Sequence, residues 1–131
     1  AIIFPGGFGA ALNLCNFGLS KENFSIQTDV FKFAKAMVAA KKPAGFICIA
    51  PVLAPKLYPA GIQITIGNDK ATAEILEKLG ARHIPCAATD CVVDKVHKLV
   101  STPAYMLARS IKEVASGIDC LVKELSLLLH S

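Results

Sequence analysis

Cys48 is the residue of this sequence that is best placed to do chemistry. It lies in an apolar run, Ala44–Ile49, and Pro51 follows, a residue that fits the first turn of a helix but not the inside of a sheet. The chain is therefore expected to pass from strand to helix at Cys48. A side chain on such a corner is held above the carboxyl edge of a parallel sheet, where the free N–H groups of the next helix face it. Because these donors stabilise a thiolate, we predict a nucleophile at Cys48.

Other residue types give this chemistry little support. A cysteine that ends a buried strand is otherwise a small core residue, and that alternative stays open for Cys48. The histidines fall beside a strand, on a hairpin turn and next to the chain end, where surface or edge roles explain them (His83, His97 and His130). Packing explains the remaining cysteines (Cys15, Cys86, Cys91 and Cys120), and Asp90 and Asp94 fit a solvated turn.

Composition bounds the fold and excludes several functions. The 131 residues suggest one domain, and 53% of them are hydrophobic, which favours a sheet buried on both faces or a surface covered by a partner. No apolar run approaches the roughly 18 residues that cross a bilayer, so we expect no membrane span. The net charge of +4 is spread along the chain. The densest group of positive charges consists of Lys32, Lys35, Lys41 and Lys42. We interpret it as a solvated helix face rather than a nucleic-acid or phosphate patch, because no aromatic ladder accompanies it.

The five cysteines indicate a reducing compartment rather than a disulfide framework, since their number is odd and their spacing irregular. Cys86 and Cys91 are too far apart for a CxxC pair, and no histidine completes a zinc set. We therefore expect no metal.

Strands alternate with helices along the chain. Strands are predicted at residues 1–4, 45–48, 62–66 and around 83–84, followed by a hairpin of 91–93 and 98–101. Helices are predicted at 10–17, 27–41, from the Cys48 corner to about 58, and at 70–79, 103–116 and 118–129. Thr28 or Asp29 lies near the cap of the second helix, and Gly117 separates the last two. Residues 18–25 are predicted to form a surface loop. The pattern predicts a doubly wound, mostly parallel α/β fold with helices on both faces and ligands at the carboxyl ends of the strands.

Five motifs in order carry a resemblance to a known family. PGGFGAALNL, KPAGFICIAPVL, TIGND, GARHIPC and VSTPAYMLA with ASGIDCLV together resemble the ElbB-type branch of the PfpI superfamily, relatives of the class I glutamine amidotransferases. The resemblance covers nearly all 131 residues as one amidotransferase-like domain. It implies that Cys48 is the family's elbow cysteine and that Gly6, Gly7 and Ile49 supply the facing backbone, with N–H donors for an oxyanion at Gly7 and Ile49. Further residues are assigned to the substrate-lining wall (Asn13, Pro51 and Thr102).

The chain departs from the family pattern in three places. Thr102-Pro103-Ala104 stands where amidotransferases carry His-Pro-Glu, which argues against glutaminase activity. Ile49 stands where PfpI-type proteases place a histidine, which argues against proteolysis. Members of the family begin with a βαβ portion that carries a glutamate bonded to the elbow cysteine, and we expect this chain to start after that portion.

The resemblance implies a cofactor-free, glyoxalase-like enzyme that acts on small dicarbonyls such as glyoxal or methylglyoxal. The alternative is a non-enzymatic redox-sensing or partner-binding protein in which Cys48 is oxidisable or vestigial. A homodimer is expected, and no nucleic-acid partner. The short link from Ile66 to Ala71 resembles the bacterial form, which favours a cytoplasmic location over the alternative, the mitochondrial matrix.

Overall fold

The computed structural model describes residues 1–131, which form six strands and five α-helices. The strands are β1 (Ile2–Phe4), β2 (Ala44–Ile47), β3 (Gln63–Ile64), β4 (Arg82–His83), β5 (Val92–Asp94) and β6 (Leu99–Thr102). The main sheet has the order β1-β2-β6-β5, in which β1, β2 and β6 are parallel and β5 pairs antiparallel with β6. A smaller parallel sheet contains β3 and β4.

Helices cover both faces of the main sheet. They are α1 (Phe17–Ser20), α2 (Thr28–Ala39), α3 (Ala54–Leu57), α4 (Lys70–Lys78) and α5 (Ile111–Leu129). All four residues of β2 are buried, because successive side chains enter opposite cores. Phe46 packs with residues of α2, α3 and α4, and Ile47 packs with residues of α5. The predicted doubly wound α/β architecture is confirmed.

Several predicted elements are present with small shifts in their ends. The strand before Cys48, α2, the hairpin of β5 and β6, and α4 lie where the periodicity places them. Gly80 follows α4 with φ +103°, as a left-handed helix stop requires. The cap of α2 is Gln27 rather than Thr28 or Asp29, because the Gln27 side chain accepts a 2.8 Å hydrogen bond from the Val30 N–H.

The C-terminal prediction of two helices divided at Gly117 is wrong. Pro103 precedes only a 3-10 turn, Ala104–Met106, and α5 then runs unbroken from a Ser110 cap to Leu129. Gly117 lies inside α5 because a Cβ there would overlap the carbonyl oxygen of Ala88 and lie 2.7 Å from Thr102 Oγ1. This glycine marks a close contact rather than a helix end.

The N-terminal third also differs from prediction. Instead of one helix followed by a loop, the chain forms a π-helical turn, Ala10–Leu14, then α1 and a 3-10 turn, Lys21–Asn23. The strand predicted at 62–66 is reduced to β3, because the N–H groups of Thr65 and Ile66 donate to side chains, Ser101 Oγ and His83 Nε2.

Cys91 and Cys120 form a disulfide that ties the start of β5 to α5. The interpretation of these two residues as packing residues only is therefore wrong. The other three cysteines are free. None of the helices has the length and apolar character that a membrane crossing requires.

Candidate active site

The backbone turns sharply at Cys48, between β2 and the next helical turn. Cys48 has φ +63°, in the left-handed region that costs a residue with a side chain about 1–2 kcal/mol. Its N–H donates a 3.0 Å hydrogen bond to the carbonyl of Thr102 at the matching end of β6. A 3-10 turn, Ala50–Leu53, follows, with Pro51 in its first positions. The predicted strand-to-helix corner is thus present, and it holds a half-buried thiol at the carboxyl edge of the sheet.

The glycine loop after β1 lies directly against this corner. Gly6 has φ +86°, and a Cβ at that position would overlap the carbonyl oxygen of Ile47 and lie 2.9 Å from the Cβ of Cys48. Only a glycine allows so close an approach. The N–H groups of Gly7 and Ile49 donate no hydrogen bond within the chain. Free N–H donors beside a nucleophile are what an oxyanion hole requires, and their catalytic role stays a prediction.

A cavity of about 300 Å³ opens over Cys48. The apolar residues of its wall are Phe8, Phe17, Ile49 and Met106. The polar residues beside them are Lys21, Asp69 and Thr72. Asp69 Oδ2 accepts a 2.7 Å hydrogen bond from Thr72 Oγ1 at the start of α4, and Lys21 Nζ lies 5.5 Å from the centroid of the Phe17 ring. The cavity therefore offers one acid and one cation around the thiol.

The sequence did not indicate that Lys21, Asp69 and Thr72 line one cavity with Cys48. Lys21 falls in a predicted surface loop, and Asp69 immediately precedes a predicted helix. The position of Asp69 and Thr72 just after β3 was an available signal, because residues at the carboxyl ends of strands meet at one edge. Nothing local marks Lys21, which the fold of α1 brings to the cavity.

The predicted substrate-lining residues lie outside the cavity. Asn13 lines a separate groove with Leu12, Cys15 and neighbours. Pro51 is buried, and Thr102 is fully buried with its hydroxyl donating to the Asp90 carbonyl at 2.7 Å. The cavity walls do not support the lining roles of these three residues, which stay predictions.

No side chain of the chain makes a hydrogen bond with the sulfur of Cys48. The histidines are placed elsewhere: His83 Nε2 accepts from the Ile66 N–H at 3.2 Å, His97 pairs with Asp94, and His130 is exposed at the end of α5. The thiol therefore sits among backbone donors without a histidine partner.

The other two free thiols are poorly suited to reaction. Burial raises the pKa of Cys15, whose sulfur lies against the carbonyls of Ala10 and Ala11. Burial, together with the charge of Asp90, raises the pKa of Cys86 to about 11. Since the thiolate is the nucleophilic form, both groups are held in the unreactive state.

One cluster has the residue types of a metal site. Ligand atoms of Asp90, Cys91 and Cys120 lie within 4.8 Å of one another. The disulfide occupies both sulfurs, and it leaves the Asp90 carboxylate as the one remaining charged ligand.

No family model matches this chain. Two mitochondrial proteins of mammals match over nearly the whole chain. The chain is 38% identical to the ES1 protein homolog, mitochondrial, of Rattus norvegicus over 133 positions, covering 95% of the chain and 50% of the relative. It is 36% identical to the human glutamine amidotransferase-like class 1 domain-containing protein 3, mitochondrial, covering 95% of the chain and 49% of the relative. The chain thus spans about half the length of these curated relatives.

A solved structure with an amidotransferase-like domain is also similar to this chain. The crystal structure of an isoprenoid biosynthesis protein with amidotransferase-like domain from Ehrlichia chaffeensis superposes with a TM-score of 0.86 at 29% identity, covering 98% of this chain and 59% of that one. These matches support the amidotransferase-like superfamily and do not single out its ElbB-type branch.

Proposed function

We propose, from the premise that this chain has the amidotransferase-like fold, that it provides the nucleophile of a cofactor-independent thiol enzyme that converts small dicarbonyls to hydroxy acids. The observation that carries the proposal is the Cys48 corner, where a half-buried thiol lies beside two free N–H groups under a mainly apolar cavity. The cavity, at about 300 Å³, suits a substrate of glyoxal or methylglyoxal size.

The proposed reaction begins with attack of the Cys48 thiolate on an aldehyde carbon. A C–S bond forms, the carbonyl electron pair moves to oxygen, and the N–H groups of Gly7 and Ile49 donate to the resulting oxyanion. The proton on that carbon leaves, and a proton is delivered to the neighbouring carbonyl carbon, so that one carbonyl is oxidised and the other reduced. The product is a thioester of a hydroxy acid. Water cleaves the thioester, releasing the hydroxy acid and the thiol, so the overall change is the addition of one water molecule.

Asp69 is the residue in the cavity that we assign to proton movement. It is the single carboxylate of the cavity wall, and the Thr72 hydroxyl fixes its orientation through a 2.7 Å hydrogen bond. Lys21 lines the same cavity and is suited to bind the developing carboxylate of the product. General acid–base groups of this kind contribute about 10²–10⁴-fold in rate.

The test is the formation of glycolate from glyoxal, followed by NMR. Cys48→Ser is expected to lower the rate by at least about 10³-fold, because serine lacks a ready anionic nucleophile. Cys86→Ser is the matched control, since its thiol lies outside the cavity, and it should keep the parent rate. An unchanged rate in Cys48→Ser, or no glycolate from the parent protein, would remove the proposal.

A second function is favoured by the exposure of the same thiol. Cys48 is half-buried in an open cavity, and the free N–H groups beside it would also stabilise a sulfinate, which makes it a candidate oxidation sensor. Titration with peroxide followed by mass spectrometry separates the two functions. A sensor oxidises at Cys48 before Cys15 and Cys86 and forms no hydroxy acid from glyoxal.

We also propose a mitochondrial location and a homodimeric assembly for the protein. Three relatives carry the word mitochondrial in their names, which favours the mitochondrial alternative and gives the cytoplasmic expectation no support. Large apolar side chains are exposed on α2 and α5, including Phe33, Val122 and Leu127, which fits the expected homodimer. Light scattering at micromolar concentration should give twice the chain mass of 13.8 kDa.

A further inference from the structure

A second cavity lies at the opposite edge of the main sheet from Cys48. Asp94 pairs with Leu99, and Leu99 pairs with Ala44 at the start of β2, so the turn between β5 and β6 lies at the amino end of β2. The cavity has a volume of about 380 Å³. We call it the amino-edge cavity; its walls are Val38, Lys41, Tyr58, Pro59, Val96, His97 and Lys98.

His97 is held in a fixed orientation on this wall. The ring Nδ1 of His97 lies 2.9 Å from Asp94 Oδ2, and the backbone N–H of His97 donates to Asp94 Oδ1 at 3.0 Å. The Gln63 N–H also donates to Oδ2, at 2.9 Å. Burial alone would raise the pKa of Asp94, but these hydrogen bonds outweigh it and hold that pKa below its usual value. Asp94 is thus a satisfied carboxylate, and the Nε2 atom of His97 has no hydrogen-bond partner in the chain.

Two lysines add positive charge to the same wall. Lys41 forms no ion pair and its Nζ makes no hydrogen bond, whereas Lys98 Nζ donates to the Ser131 carbonyl at 3.2 Å. No Asp or Glu is among the residues that line the cavity, and neither lysine forms an ion pair with an acidic side chain. The cavity therefore presents cations that the chain itself does not neutralise.

Tyr58 completes the set of donors. Tyr58 lines the cavity and is only 6% exposed, and its hydroxyl is buried without a hydrogen-bond partner in the chain. A buried hydroxyl without a partner costs about 1–3 kcal/mol, so an uncompensated one is rare in a native core. Burial, with the charge of Asp94, raises the pKa of Tyr58, so the phenol is a donor at neutral pH.

We propose that the amino-edge cavity binds a small phosphate monoester. Lys41, Lys98 and His97 are suited to a dianion, the Tyr58 hydroxyl is suited to donate to one of its oxygens, and the apolar side chains are suited to its organic part (Val38, Pro59 and Val96). A carboxylate carries one charge fewer and fits this donor set less well. The site lies away from Cys48 and does not depend on the chemistry proposed there.

The experiment follows the ring nitrogens of His97 by NMR in ¹⁵N-histidine-labelled protein during titration with phenyl phosphate. His97 is expected to shift saturably, while His83 and His130, which lie outside the cavity, stay in place. Inorganic phosphate should bind more weakly because it lacks the apolar part, and benzoate more weakly because it carries one charge. No saturable shift of His97 would overturn the proposal, and equal binding of benzoate would overturn the phosphate assignment.

Neighbouring lysines supply a matched pair of variants. Lys41→Ala should weaken phenyl phosphate binding at least about fivefold, as expected for the loss of one charge-assisted contact. Lys42→Ala removes the same charge one residue further along, outside the cavity, and should change the affinity less than about twofold. Equal effects of the two substitutions would show a general charge effect and contradict a built site.

Tyr58→Phe tests the phenol separately from folding, because the ring is kept. In the absence of ligand its melting temperature should equal or exceed that of the parent, since the lost hydroxyl has no partner. Binding of phenyl phosphate should weaken at least about threefold. A lower melting temperature with unchanged affinity would show that the hydroxyl serves the fold and not the ligand.

Discussion

At the scale of single residues, the candidate site depends on a close fit between Gly6 and Cys48. The positive φ of Cys48 turns its side chain out of the sheet, and the space beside it is filled by the backbone of the glycine loop. Both features follow from short sequence stretches, so Cys48, Gly6 and Gly7 could be identified before the structure. Lys21 could not, because only the fold of α1 brings it to the cavity, whereas the position of Asp69 and Thr72 after β3 was an available signal.

Substitutions in the glycine loop separate steric overlap from backbone strain. Gly6→Ala should destabilise the fold by at least about 3 kcal/mol, because its Cβ would overlap the Ile47 carbonyl oxygen in addition to the cost of a positive φ. Gly7→Ala should cost only about 1–2 kcal/mol, since its φ is +81° but no atom lies within 4 Å of the added Cβ. Urea unfolding measures both values. Equal losses in the two variants would contradict the close contact between the loop and the Cys48 corner.

At the scale of elements, the alternation of strands and helices was predictable because hydrophobic periodicity is local. The division of the last helix was not, because Gly117 looks the same in sequence whether it ends a helix or permits a contact. In the structure α5 passes so near Ala88 and Thr102 that no side chain fits between them. The same Thr102 accepts the hydrogen bond from the Cys48 N–H, so the packing of α5 bears on the corner.

Gly117→Ala is therefore expected to destabilise the protein although alanine is the better helix former. The helix gains about 1 kcal/mol in propensity, and the overlap with the Ala88 carbonyl costs more, which leaves a net loss of about 2 kcal/mol. Ser116→Ala, at the neighbouring exposed position of α5, should change stability by less than about 0.5 kcal/mol. A Gly117→Ala variant as stable as Ser116→Ala would contradict the contact.

The disulfide between Cys91 and Cys120 was not predictable either, because an odd cysteine count does not reveal which residues meet in space. The bond closes a loop with a sequence separation of 29 residues, which the chain-entropy model values at about 3–4 kcal/mol. Cys120→Ser should lower the melting temperature under oxidising conditions, and added reductant should lower that of the parent by a similar amount. Cys86→Ser, which removes a free thiol, should have no such effect. Melting temperatures of the parent that do not change with reductant would contradict a stabilising disulfide.

At the scale of the whole molecule, the pH dependence of folding involves a titratable residue of the small sheet, which links the chain after β3 to β4. His83 Nε2 accepts the Ile66 N–H, and burial lowers the pKa of His83 despite the opposing charge of Glu77. A lowered pKa means that the folded protein prefers the neutral ring, so stability is present above the ordinary value of 6.5 and is lost as the pH falls below it. Asp94, whose pKa is also lowered, loses its contribution only below about 3.8.

The free energy of unfolding should therefore decline between pH 7 and pH 5, and His83→Gln should reduce that decline. Glutamine keeps an acceptor for the Ile66 N–H but does not titrate, so the difference between the two proteins isolates His83. Urea unfolding at several pH values measures it. Parallel pH profiles for parent and variant would show that His83 does not couple pH to folding.

The central claim is that Cys48 is the reactive thiol of this chain, and competitive alkylation tests it most directly. The native protein would be treated with limiting iodoacetamide at pH 8, and the labelling of its three free cysteines followed over time by mass spectrometry. Cys48 should react at least about tenfold faster than Cys15 and Cys86, because raised pKa values keep those two thiols protonated. Labelling of Cys86 or Cys15 at the same rate as Cys48, or before it, would contradict the account.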